Sequence, residues 1–283
     1  MMTRLIKIIF LISVVSFFSC SQKRETDLQK TGLKGNVKSI REITYAAFGT
    51  ADTLIQGEIT DNLSNENTYT VYNPQGFITD VFKYDKNNII KYKWKFYYDD
   101  GGEKQLSGKR YEALDMEEDS TAYVYDKKGN PVEYLYYYAD GSLKFKILSK
   151  FDKKGNLTEE KQLDEKNLVK QISKFKYSGG NLTEGRSYDK NSALQVKSVY
   201  TYDKQGNMLS VTMSDGKNKP ISRGEYSYNA DGFVQTELLK RQGYTDLLLE
   251  YIYTIDSQGN WIQRIMLSDN EAFQITKREI EYY

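Results

Sequence analysis

The chain has 283 residues, no histidine and one cysteine, Cys20. That excludes Ser-His-Asp and Cys-His nucleophiles, most zinc ligand sets and any intramolecular disulfide. Forty basic against 39 acidic residues leave no basic footprint for a nucleic acid, while 25 tyrosines, 3 prolines and a mean hydropathy of −0.68 favour a thin, half-buried sheet over a thick two-sided core.

Residues 1–19 have the form of a secretory signal. Arg4 and Lys7 lead an apolar run from Ile8 to Phe18, too short to span a bilayer as a stable helix. Cys20 follows Ser19 directly and is similar to the lipidated cysteine of a bacterial lipobox. Lipidation there predicts a cell-envelope protein anchored to the outer membrane, with the membrane as its first partner. Residues 20–32 are polar and aperiodic and predict a flexible tether.

Residues 33–283 are a repeat. Its turn glycines are Gly76, Gly102, Gly129, Gly155, Gly180, Gly206, Gly232 and Gly259, at successive gaps of 26, 27, 26, 25, 26, 26 and 27. So regular a period sets the architecture before any single residue does. The best copies are "YDKKGN" from Tyr125, "FDKKGN" from Phe151 and "YDKQGN" from Tyr202. Asp caps the turn and Gly takes the positive φ that closing a hairpin demands. A weaker turn lies near each midpoint, as in "YDKNN" from Tyr84 and "YDKNS" from Tyr188. A unit is therefore strand, turn, strand, turn, with about nine residues per strand.

The strands alternate. In "KYKWKFYYD", Tyr92, Trp94, Phe96 and Tyr98 face one way, and Lys91, Lys93 and Lys95 the other. Leu249, Tyr251, Tyr253 and Ile255 repeat the pattern. Period two with one apolar face means half-buried antiparallel strands. The expected fold is all-β: an extended antiparallel meander of β-hairpins, about 26 residues per two-strand unit, in a strongly twisted or curled single sheet with its aromatic face inside. Ala51–Asn67 and Glu103–Ser120 fit the repeat least well and predict long loops or irregular hairpins.

These motifs, with the terminal "IDSQGNWIQR" (Ile255–Arg264) and the opening "LKGNVKSIREITY" (Leu33–Tyr45), resemble the YD repeats of RHS-type proteins, and most of all the short repeat lipoproteins of Bacteroidetes. The resemblance covers Leu33 to Tyr283. It implies a repeat architecture and an envelope location, and no reaction. The chain is too short for the closed shell that large members build around a toxin.

Few constellations suggest chemistry. "GEKQLSGKR" (Gly102–Arg110) has five residues between glycines where a phosphate loop has four, and Arg110 where Ser or Thr would hold magnesium. It reads as a lysine-rich hairpin edge. Asp85, Asp126, Asp152, Asp203 and Asp256 offer one acid per turn, which suits capping rather than calcium. Trp261 suits packing. The candidate binding face is Tyr92, Trp94, Phe96 and Tyr98, a row whose first reading is core. The expectation is a non-enzymatic lipoprotein without cofactor or metal. Its sheet serves as a binding or scaffolding surface for a glycan or an envelope protein. The alternatives are a purely structural envelope component and a carboxylate-dependent glycan hydrolase.

Overall fold

The structure is a computed structural model describing residues 25–60, 67–112 and 116–283. The signal segment and Cys20 lie outside the described residues.

Each repeat grows outward from its turn. Asp203 Oδ1 accepts the backbone N–H groups of Gln205 at 2.9 Å and Asn207 at 2.8 Å, and Oδ2 accepts the Asn207 side-chain amide at 2.9 Å. Gly206 then turns the chain at φ +92°. All eight motif glycines have positive φ. Several midpoint turns use the same design with another residue in the left-handed position, while those at Gly141 and Gly243 keep a glycine there. Asp215 Oδ1 accepts from Lys217 at 2.9 Å and Lys219 at 2.8 Å, and Asn218 sits at φ +61°. Asn tolerates that region better than most side chains, so a turn of this kind needs no glycine.

These turns connect β1 (Val37–Phe48), β2 (Ile55–Ile59), β3 (Asn67–Tyr72), β4 (Ile78–Tyr84), β5 (Ile90–Tyr98) and β6 (Gln105–Glu112). They continue through β7 (Glu117–Tyr125), β8 (Pro131–Tyr138), β9 (Leu143–Phe151), β10 (Leu157–Asp164), β11 (Val169–Ser178) and β12 (Asn181–Asp189). The last are β13 (Leu194–Tyr202), β14 (Met208–Asp215), β15 (Pro220–Tyr228), β16 (Val234–Arg241), β17 (Leu247–Ile255), β18 (Trp261–Ser268) and β19 (Glu271–Tyr282). A short helix, α1 (Asp27–Lys30), precedes them. Glu103–Ser120 departs from its expectation. It supplies two ordinary strands, β6 and the start of β7, whose alternation is hidden because a charged pair, Arg110 and Asp119, occupies inward positions. Residues 113–115 between them lie outside the described set.

The single curled sheet expected from the sequence is corrected in one respect: it closes. β19 pairs with β1 from Val37↔Tyr282 to Ala46↔Gln274, and β1 pairs with β3 from Ser39↔Val71 to Glu42↔Thr68. Of the 19 strands among the described residues, all but β2 form a closed antiparallel barrel of 18. Closure pairs the two edges that an open meander would leave as templates for aggregation. β2 continues the line of β3 along β1 (Tyr45↔Ile59, Phe48↔Ile55) on the far side of residues 61–66. Asn67 bridges the break. Its side-chain oxygen accepts the Thr44 N–H at 2.8 Å and its amide donates to the Thr60 carbonyl at 3.0 Å. One side chain thus stands in for a missing peptide in the ladder.

The motif tyrosines lock neighbouring repeats together. Tyr98, Tyr125 and Tyr228 each donate a hydroxyl to the carbonyl that opens the preceding strand: Ile78 at 2.6 Å, Gln105 at 2.8 Å and Met208 at 2.8 Å.

The described part of the stretch read as a tether is built into the fold. Thr26 caps α1, Leu28 is buried with Val37, Ile40 and Tyr72, and Asp27 Oδ2 accepts the Ile78 N–H at 3.0 Å. Further on, Asn260 exchanges two 2.8 Å hydrogen bonds with the Lys34 backbone. Polar composition hid this attachment because one apolar residue, Leu28, carries it. The N-terminal segment therefore lies at the mouth formed by the glycine turns, and the midpoint turns form the other mouth.

Candidate binding lumen

Side chains paired across a ladder share a face, so register decides what meets inside. Trp94 lies opposite Arg110 and Tyr92 opposite Glu112. Arg110 lies opposite Asp119, and Tyr136 opposite Phe145. The four sequence candidates, Tyr92, Trp94, Phe96 and Tyr98, come together along the inner face of β5, and each is half-buried. Trp94 and Phe96 stack with ring centroids 5.9 Å apart and planes within 3°. The Lys83 ammonium sits 5.3 Å and the Arg110 guanidinium 5.7 Å from the Tyr92 ring. Tyr98 serves the fold through its bond to Ile78. Rings of roughly 16–18 strands are too wide for side chains to fill. This row accordingly lines the wall, neither sealed in a core nor displayed outside.

Sequence reasoning missed the polar half of the lining. Arg110, set aside with the false phosphate loop, is its hub. Its Nε and one terminal nitrogen donate to Asp119 Oδ2 at 3.0 and 2.6 Å, and the Tyr136 hydroxyl donates to the same oxygen at 3.0 Å. Glu118 also pairs with Arg110, Glu112 lies 3.5 Å from it, and Lys144 lies 3.9 Å from Asp119. Asp119 is only 3% exposed. Burial, then the bond to Asp119, pushes the Tyr136 hydroxyl up to about 12, and a hydrogen bond with Glu112 raises the Glu118 carboxyl. The available signal was an opposite-charge pair placed symmetrically about the β6–β7 turn.

A second polar group lies near the seam. Trp261 is buried, as its packing role requires. The Arg278 guanidinium lies 3.3 Å and that of Arg264 5.1 Å from the centroid of its ring. Arg278 Nε donates to Glu42 at 2.8 Å, and burial pulls Arg278 below the usual arginine range. Tyr251 donates to Glu237 at 2.9 Å, and burial followed by that carboxylate raises its hydroxyl.

The outer face is a ladder of charges. Lys150 meets Glu159 at 2.9 Å, Lys176 and Arg186 meet Glu184 at 2.9 and 3.0 Å, and Arg223 meets Glu225 at 2.8 Å. A bilayer-embedded barrel shows the reverse pattern, apolar outside and polar within, and each Lys or Arg on the lipid face costs about 2–4 kcal/mol at the midplane. These charged rungs suit water rather than lipid, although exposed Leu148, Val199 and Ile252 share the face with them. Among the described residues, no helix is long and apolar enough to cross a membrane, and no group of three or more His, Cys, Asp or Glu residues could hold a metal ion.

No protein-family model matches the chain, and no curated protein does. Among solved structures it is similar to a porin-like protein from Bacteroides uniformis ATCC 8492, at 12% identity over 86% of this chain and 96% of that one, with a TM-score of 0.43. A porin-like protein from Bacteroides vulgatus ATCC 8482 is similar at 11% identity over 68% and 94%, with a TM-score of 0.34. The complex TcdB2-TccC3-Cdc42 is similar at 10% identity over 80% of this chain and 14% of that one, with a TM-score of 0.27.

Proposed function

We propose that the protein is a non-catalytic lipoprotein of the cell envelope, anchored at the outer membrane through Cys20, whose barrel binds a glycan in its lumen. One observation carries the reading: the inward row Tyr92, Trp94 and Phe96 is half-buried in a wall too wide for its side chains to fill. Aromatic faces beside hydrogen-bonding groups suit sugar rings, which have apolar faces and polar edges. The alternatives fit less well. A component assembled by strand addition needs a free edge, and closure pairs the edges of the ring strands. For a hydrolase, the cluster of acids Glu112, Glu118 and Asp119 is ill suited, because all three converge on Arg110 as their counter-ion.

The test is a glycan-array screen of the full chain in detergent, with Trp94→Ala beside it. The expected result is selective binding that falls at least tenfold in the variant, while its melting temperature changes little. Absence of binding across a broad array, together with a destabilised Trp94→Ala, would assign the row to packing and end the glycan reading.

A further inference from the structure

Arg264 is a lumen cation with no ion-paired carboxylate among the described residues. It lies on β18 opposite Tyr253, whose ring also contacts Trp261, and its guanidinium sits 5.7 Å from the Tyr251 ring and 5.1 Å from the Trp261 ring. Among the described residues no carboxylate is ion-paired with it, and its Nε is buried without a hydrogen-bond acceptor. Its neighbour over the same indole, Arg278, holds Glu42 for itself. Two guanidiniums thus share one indole: Glu42 is held by Arg278, and Glu237 nearby takes the Tyr251 hydroxyl rather than an ion pair with Arg264. Burial and the proximity of Arg264 both disfavour the charged form of Arg278. A buried guanidinium N–H with no acceptor is costly, and a planar carboxylate is the partner whose geometry matches it best.

We infer that this position is an acidic-sugar subsite: the carboxylate of a uronic- or sialic-type residue pairs with Arg264, and the sugar ring lies against Tyr251 and Trp261. The inference rests on the glycan-binding reading above and assigns that ligand a charge and a place. The subsite is carried by β17 and β18, away from the β5 row. The opposite lumen cluster cannot take this role, because Arg110 there is already surrounded by three carboxylates.

The experiment is calorimetry on the full chain in detergent. The probes are a galacturonic-acid hexamer and sialyllactose, each run beside its neutral counterpart. At least one acidic probe is expected to bind tenfold or more tighter than its neutral partner, and the preference should weaken with added salt. Arg264→Gln removes the preference and Arg264→Lys restores part of it. Arg186→Gln, on the outer ladder, leaves it unchanged. Thermal melts check that each variant is folded. Equal binding of acidic and neutral probes, or an undiminished preference in Arg264→Gln, overturns the subsite and leaves the glycan reading standing. No binding of any probe by a cooperatively melting protein overturns the subsite and counts against the glycan reading as well.

Discussion

Replacing Asn67 by alanine is expected to weaken the seam of the barrel by about 3 kcal/mol. Asn67 is 1% exposed, and its amide serves two backbone groups beside the break between β2 and β3: the Thr44 N–H at 2.8 Å and the Thr60 carbonyl at 3.0 Å. A buried polar group left unsatisfied costs about 1–3 kcal/mol. Alanine orphans two, and water reaching the rim recovers part of the sum. For a domain of this size each kcal/mol moves Tm by about 2–4 °C, so the midpoint should fall by about 6–12 °C. Urea unfolding followed by tyrosine and tryptophan fluorescence gives the free energy, with an unchanged m-value as the sign that only stability moved. Asn67→Asp separates hydrogen bonding from volume. It keeps an acceptor for Thr44 but turns a second oxygen toward the Thr60 carbonyl and buries a charge, so it should cost at least as much as alanine. A loss below about 1 kcal/mol in Asn67→Ala, or wild-type stability in Asn67→Asp, would refute the peptide-substitute argument.

Three further outcomes follow from the turns and their locks. Gly206→Ala should cost about 1–2 kcal/mol in urea unfolding from backbone strain alone, since φ is +92° and nothing lies within 4 Å of the added Cβ; a neutral result would mean that the turn relaxes freely. Asn218→Gly, at φ +61°, should by contrast be neutral or slightly stabilising in the same assay. Tyr228→Phe removes the 2.8 Å bond to the Met208 carbonyl and should cost about 1 kcal/mol, read as a lowered urea midpoint; an unchanged midpoint would show that the lock adds nothing net.

The turn aspartates also make stability depend on acid. Asp126 and Asp203 are held below their ordinary value of 3.8, first by the side-chain amides of Asn130 and Asn207 and then by backbone N–H groups. Asp85 is lowered first by the Ile89 N–H. A carboxyl with a depressed folded pKa adds stability above its unfolded value and loses it as pH falls through the folded one. Tm should therefore hold down to about pH 4 and decline below it. Asp203→Asn, which keeps an acceptor oxygen but cannot titrate, should flatten that decline. A profile as steep as wild type would place the acid sensitivity elsewhere.

Some features of the lumen are plain in the sequence and others are not. Tyr92, Trp94, Phe96 and Tyr98 announce a common face because alternation is a property of one strand. The Asx turns are equally local, since each needs only the Asp, the acceptor geometry and a left-handed residue three positions on. Arg110 with Asp119 is intermediate. The two are neighbours across one hairpin, but their facing follows only once the bulge at Arg110/Tyr111 sets the register. Arg264 and Arg278 meeting over Trp261 is likewise set within one hairpin, β18–β19, whereas the pairing of Arg278 with Glu42 is less legible, because it depends on β19 continuing around to pair with β1.

The sequence by itself determined most of the strands outside Glu103–Ser120, the turns, the 26-residue unit and the choice of aromatic face, because each arises from contacts within a hairpin. Only the tertiary structure decided that the sheet closes, that Leu28 ties the N-terminal segment to one mouth, and that lysines form the outside of a barrel. Closure depends on small twists and tilts summed over 18 strands and on a seam joining residues as distant as Ser39 and Glu281. No single repeat encodes that sum, since an identical hairpin can belong to an open ribbon or to a ring.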